Sequence, residues 1–195
     1  IDGLDGAADL IDLLRHFAGS RKVELEKCIE ASVALKKIID EDSPFEERVM
    51  ATGSPELKDN TTAVDFTFDK ISKLIADGAV PDVRSKEEFT PLMIASRIGH
   101  SSLVRMLLKS GADPDAKNQY GESSIMFSAW FSRVEICKRL INAGAALLSK
   151  NKIYYHLGPL HGRDVMFFTI NPEIATKLLE KEPSLASNKD AEGNT

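Results

Sequence analysis

The chain has 195 residues, with 25 Lys+Arg against 30 Asp+Glu and a formal net charge of -5. At that length it can bury a sizeable core, and 43% hydrophobic with 28% charged residues is too apolar for a disordered chain. No apolar run reaches the ~18 residues of a membrane span, no basic stripe is present to neutralise phosphates, and Cys28 and Cys137 alone make no disulfide framework. The bland reading of the two thiols is a reduced, intracellular protein, and no export signal is visible. Because the chain opens at Ile1, a removed leader stays an open alternative.

The N-terminal third reads as helical and non-repetitive. Asp5 can cap a helix over about 6–18, with Leu10, Leu13, Leu14 and Phe17 inward and Gly19 as its stop. Ser20 can cap a second helix to about Asp40, with Leu25, Cys28, Ile29, Leu35 and Ile39 on one face. Ser43-Pro44-Phe45-Glu46 is a capping-box pattern that predicts a third helix to about Ala51, and 53–62 reads as a loop. Segment 1–44 holds 10 acids and 6 bases, so the acidity concentrates there. These features predict a helical cap over residues 1–60, because the end of a stacked array needs a polar outer face.

Beyond residue 60 the chain repeats. Leu74-Ile75-Ala76-Asp77-Gly78-Ala79 returns as Leu107-Leu108-Lys109-Ser110-Gly111-Ala112 and as Leu140-Ile141-Asn142-Ala143-Gly144-Ala145, a period of 33. Ile71, Val104 and Cys137 keep the same register, and Glu88 to Gly121 and Thr90 to Ser123 are also 33 apart. Each unit has a physical reading. Thr90 is a cap acceptor and Pro91 sits at the first helical position, where its missing N–H costs nothing. Leu92, Ile94 and Ala95 form an apolar stripe, which Gly99-His100 ends. A second helix over about 101–110 shows Leu103, Val104, Leu107 and Leu108 on one face, and Gly111 stops it. The polar stretch that follows should project away from the helix pair. One such unit cannot bury its own apolar face, so neighbours must stack.

Thr90-Pro91-Leu92-Met93-Ile94-Ala95-Ser96, then Gly99-His100, then Val104, Leu107-Leu108 and Gly111-Ala112, resembles the ankyrin repeat. Gly121-Glu122-Ser123-Ser124-Ile125-Met126 is a weaker copy, and Asp190-Ala191-Glu192-Gly193-Asn194-Thr195 resembles the opening of another, so the chain would stop inside a longer array. The resemblance implies an all-α solenoid with short hairpin fingers: 61–80 degenerate, then 81–113, 114–147, 148–186 with a lengthened finger, and 187–195 beginning a further repeat. Met93 and Met126 stand where the family places a histidine, and read as core. Ser124 replaces the helix-opening proline, and Ser132-Arg133 replaces Gly-His. From Gly144 to His161 there are 17 steps, against 12 from Gly111 to Ser123. Anchoring on Leu178-Leu179 puts the next inner helix at about 162–169 and five extra residues in the finger around 152–161. The alternative register, Pro159-Leu160-His161 as the signature, needs three extra residues between the helices instead.

No catalytic constellation is found: no nucleophile-elbow pattern and no phosphate-binding glycine loop. His156, His161 and Asp164 share a loop with Tyr154 and Tyr155, but a metal site wants at least three fixed ligands and neither cysteine is near, so these read as solvated loop residues. His16 reads as a helix-flank residue and His100 as a packing residue. No cofactor is expected. The resemblance implies a non-enzymatic protein-interaction module that uses finger tips and the exposed side of the inner helices. The matching positions are Lys86, Glu87, Phe89, Arg97 and Ile98, then Gln119, Tyr120, Glu122, Trp130 and Phe131, with Tyr154 and Tyr155 on the long finger. Large aromatics and arginine in such places are typical hot spots, and replacing Tyr120 and Trp130 should then leave stability nearly intact. Trp130 and Phe131 equally suit packing under the long finger. The partner would be another protein or a domain of the same chain. In the second case the array is a structural segment of a longer protein, such as an enzyme or a bacterial effector delivered to host cytosol. A cytoplasmic setting suits the composition; the oligomeric state is left open.

Overall fold

The computed structural model describes residues 22–41, 61–152, 154–155, 158–159, 162–189 and 193, with side chains described over 26–40, 69–152, 162–189 and 193. The helices expected over 6–18 and 44–51 lie outside the described residues. Helix α1, Lys22–Glu41, buries Ala31, Leu35 and Ile39, one side chain per turn. It packs on α2, Thr61–Ala76, whose Ile71 and Ile75 face inward. Thr61 and Thr62 are therefore helical rather than the end of a loop.

Helix pairs follow. Helix α3, Pro91–Ile98, opens on Thr90, whose hydroxyl accepts the Met93 N–H at 3.3 Å. It ends at Gly99, whose φ of 99° only glycine adopts without strain. His100 then caps α4, Ser101–Lys109, its Nδ1 accepting from the Leu103 N–H at 3.2 Å. Helices α5, Ser124–Trp130, and α6, Val134–Asn142, repeat the arrangement without a side-chain cap on either. A two-residue hairpin, β1 Tyr154–Tyr155 against β2 Gly158–Pro159, precedes a short 3-10 helix, Val165–Phe168. Asn171 caps α7, Pro172–Lys181, and a second 3-10 turn, Pro183–Ser187, ends the described structure but for the last residues.

Two layers result. Helices α3 and α5 and the first 3-10 turn pack side by side as the inner layer, and α2, α4, α6 and α7 form the outer. Between them Leu92, Met93, Leu103, Leu107, Ile125, Met126, Leu140, Ile174 and Leu178 are each at most 2% exposed, so Met93 and Met126 are core. The glycines that mark the period, Gly78, Gly111 and Gly144, have φ of 96°, 87° and 88°, all left-handed.

The insertion falls differently from expectation. The inner caps Thr90, Ser123 and Asp164 step by 33 and then 41, whereas the outer caps His100, Arg133 and Asn171 step by 33 and then 38. Eight residues enter the third finger, and the inner segment loses three, which leaves room for a 3-10 turn rather than an α-helix. The net of five extra residues hid this exchange.

Each finger is closed at its base by one small polar side chain. Ser85 Oγ accepts from the Phe89 N–H (3.0 Å), Asn118 Oδ1 from Glu122 (2.9 Å) and Asn151 Oδ1 from Arg163 (3.0 Å). Ser85, Asn118 and Asn151 are 33 apart, and all three are buried. In the third finger this clasp spans 12 residues instead of four, so the base is conserved in geometry while the loop above it grows. Neighbouring fingers are tied by rungs. The Asp113 N–H donates to the Asp82 carboxylate (3.1 Å to each oxygen) and the Ala146 N–H to Asp115 Oδ1 (2.6 Å). The Gln119 N–H reaches Glu87 O (3.3 Å) and the Lys152 N–H reaches Tyr120 O (2.8 Å). Arg84 Nη1 donates to Lys117 O at 2.7 Å. Partial burial is the main influence on the Asp82 carboxyl and pushes it up; the Asp113 N–H pulls the other way.

Candidate protein-binding surface

The described fingertips expose Lys86, Gln119 and Lys152, with Glu87 and Tyr120 half-buried beside them. Lys86, Gln119 and Lys152 thus project from the clasped turns, while Tyr120 packs partly against the core. On the inner layer, Ile98, Trp130 and Phe131 are half-buried. Trp130 stacks on Phe131 (centroids 6.1 Å apart) and on Phe168 of the following unit (5.3 Å), giving a short aromatic row across two units. Arg97, Trp130 and Phe168 occupy corresponding positions before the outer caps.

Three of the residues expected on this surface are withdrawn from it. Phe89 is 5% exposed: it precedes the cap, its N–H and C=O are held by Ser85, and its ring lies against Phe127 at 5.6 Å. Glu122 holds the corresponding clasp position, is 2% exposed and accepts from Asn118 Nδ2 at 2.9 Å. Arg97 is 9% exposed, its guanidinium resting over the Phe89 ring at 5.4 Å. All three support the finger base rather than present contacts. Trp130 is also tied into the packing, so the expectation that its removal leaves stability intact is corrected: it stacks on the next unit's 3-10 helix, which is too short to bury Phe168 unaided. Tyr154 and Tyr155 form β1, and their side chains lie outside the described residues, as do His156 and His161.

Sequence reasoning missed Ser85, Asn118 and Asn151, which set the pitch and direction of the fingers. Their signal was present as one more set of small polar residues at the 33-residue period. It missed Arg133 too, whose Nε donates to Arg97 O at 3.3 Å across adjacent inner-helix ends. The side chain of Arg133 lies so close to Gly99 that a Cβ there would come within 2.9 Å of its Nε, a second reason for glycine at that turn. Burial lowers the pKa of Arg133 from the ordinary guanidinium value.

Among the described residues, no group of three or more His, Cys, Asp or Glu side chains gathers as a metal would require, and no helix is long and apolar enough to cross a membrane.

Paired helices at a 33-residue period, left-handed glycines after α2, α4 and α6 and fingers tied edge to edge define an α-helical repeat solenoid. Residues 62–151 match the family Ankyrin repeats (3 copies), and this segment is an ankyrin-repeat array. Members of that family are generally protein–protein interaction modules. No curated protein matches the chain.

Proposed function

We propose that this protein acts without catalysis, holding a partner protein against the fingertips and the inner-helix face of its first two described units. The observation that carries the proposal is the partly buried Trp130–Phe131 pair, with Trp130 stacked on Phe168, in the unit of the exposed tip Gln119 and next to that of Lys86. A pre-stacked aromatic pair loses little side-chain entropy on binding, and such residues commonly dominate interface energetics. The charged tips Lys86 and Glu87, with Tyr120 and Gln119, supply a polar rim.

The test uses residues whose loss spares the core. Lys86→Glu with Gln119→Arg alters two exposed tips, so its melting temperature should stay within about 2 °C of the parent, as expected for surface changes near ±0.5 kcal/mol. The parent chain should retain a specific protein from cell extract that this variant loses, and bound partner should slow amide exchange over residues 119–131. Retention by both chains, or protection elsewhere, would reject this face. A retained segment of the same longer protein would identify the occupant as a neighbouring domain.

A further inference from the structure

The first described finger has no finger before it among the described residues, yet its edge is satisfied. Three contacts join the first and second fingers, and the first and third of them recur between the second and third: the N–H of 113 and 146 to a finger carboxylate, the C=O of 117 to an arginine, and the N–H of 119 and 152 to a backbone carbonyl. The corresponding groups of the first finger, 33 residues earlier, are the Val80 N–H, the Arg84 C=O and the Lys86 N–H. All three are met by α1. The Val80 N–H donates to Ser32 Oγ at 2.9 Å, Lys36 Nζ donates to Arg84 O at 2.8 Å, and the Lys86 N–H donates to Asp40 Oδ1 at 2.9 Å. Donor and acceptor roles are preserved at every rung.

Helix geometry makes the match possible. Ser32, Lys36 and Asp40 follow one another at four-residue spacing and share one stripe, rising about 12 Å from first to last at 1.5 Å per residue. The adjacent stripe is Ala31, Leu35 and Ile39, buried with α2's Ile71 and Ile75 in one core. Ser32 also donates to Cys28 O at 2.7 Å, which leaves its oxygen lone pairs turned to the Val80 N–H. Lys36 and Asp40 pair with each other at 3.3 Å, fixing both heads over the finger.

We infer that α1 is a surrogate finger: a polar strap that ends the rung ladder on its N-terminal side and holds the first finger, with its tip Lys86, in the register of the others. A polar outer face alone would shield the core, but it would not reproduce three rungs in order. The strap is also local, because it clasps only residues 80–86. Its release would loosen that finger and leave the ladder between the second and third fingers untouched.

Amide hydrogen exchange on the full chain tests this. In the unaltered protein the Val80 and Lys86 amides should be protected comparably to Asp113 and Gln119; exchange at free-peptide rates would overturn the inference. In Ser32→Ala with Asp40→Ala, Val80 and Lys86 should exchange about tenfold faster, the fold-change for losing a hydrogen bond near the upper end of the usual net range. Asp113 and Gln119 should stay within about twofold of the parent, as separate locally opening units do. Unchanged rates at Val80 and Lys86, or equal acceleration at all four, would make α1 ordinary core packing. Ser32→Thr with Asp40→Asn keeps both acceptors and should restore most of the protection.

Discussion

Two residues ahead of the inner caps Thr90, Ser123 and Asp164 the backbone turns left-handed: Gly121 and Gly162 at φ 75°, but Glu88 at 63°. An L-residue there is strained by roughly 1–2 kcal/mol, and glycine returns part of that gain as unfolded-state entropy. Glu88 is exposed and its 3.8 Å contact with Arg84 is weak, so little is lost with the side chain. Glu88→Gly should therefore stabilise the protein by about 0.5–1 kcal/mol, read as a rise of about 1–4 °C in melting temperature. Cys137 is the other residue with a defined consequence. Burial raises its thiol to about 11 from 9.0, so the unfolded chain loses that proton first as pH climbs. Its contribution is complete below pH 9 and is lost through pH 11, worth very roughly 3 kcal/mol at about 1.4 per pKa unit. Urea unfolding of the parent and Cys137→Ala across that window should show a steeper alkaline fall in the parent.

At the scale of elements, the third unit exchanges an α-helix for a 3-10 turn and a longer finger, and Trp130 repairs the packing by stacking on Phe168. Trp130→Ala should cost about 2–3 kcal/mol, less than for a fully buried ring, while Trp130→Phe recovers much of it; urea midpoints decide. The finger clasps make a finer comparison. Asn118 accepts from Tyr120 and Glu122 and donates to the buried Glu122 carboxylate, whereas Asn151 accepts from Arg163 and its Nδ2 has no partner among the described residues. Asn118→Ala strands a buried acceptor and should cost about 2–3 kcal/mol, against about 1 for Asn151→Ala. Equal losses would show that the Glu122 contact is energetically idle.

Among the described residues the main packing contacts join neighbouring units, so damage should stay near where it is made. Leu178 of α7 is fully buried, and Leu178→Ala should cost about 2–5 kcal/mol. Hydrogen exchange should then quicken first over 165–187, with α3 and α4 retaining parental protection; uniform quickening would indicate one cooperative block. The repeat period, the helix pairs, the capping Thr90-Pro91 and the left-handed Gly111 were legible in the sequence because each is a local requirement of dihedral, cap or apolar face. So was the core place of Met93 and Met126, which follows from helical spacing. Tertiary structure decided what depends on groups far apart in the chain. Phe89, Glu122 and Arg97 look like surface residues until the clasp at each finger base folds over them. Ser32, Lys36 and Asp40 look like an ordinary solvated helix stripe until they meet the unpaired backbone of residues 80–86, some 46–48 positions away. A sequence pattern reports which face of an element is apolar; only the assembled fold tells which backbone edges were left for that element to satisfy.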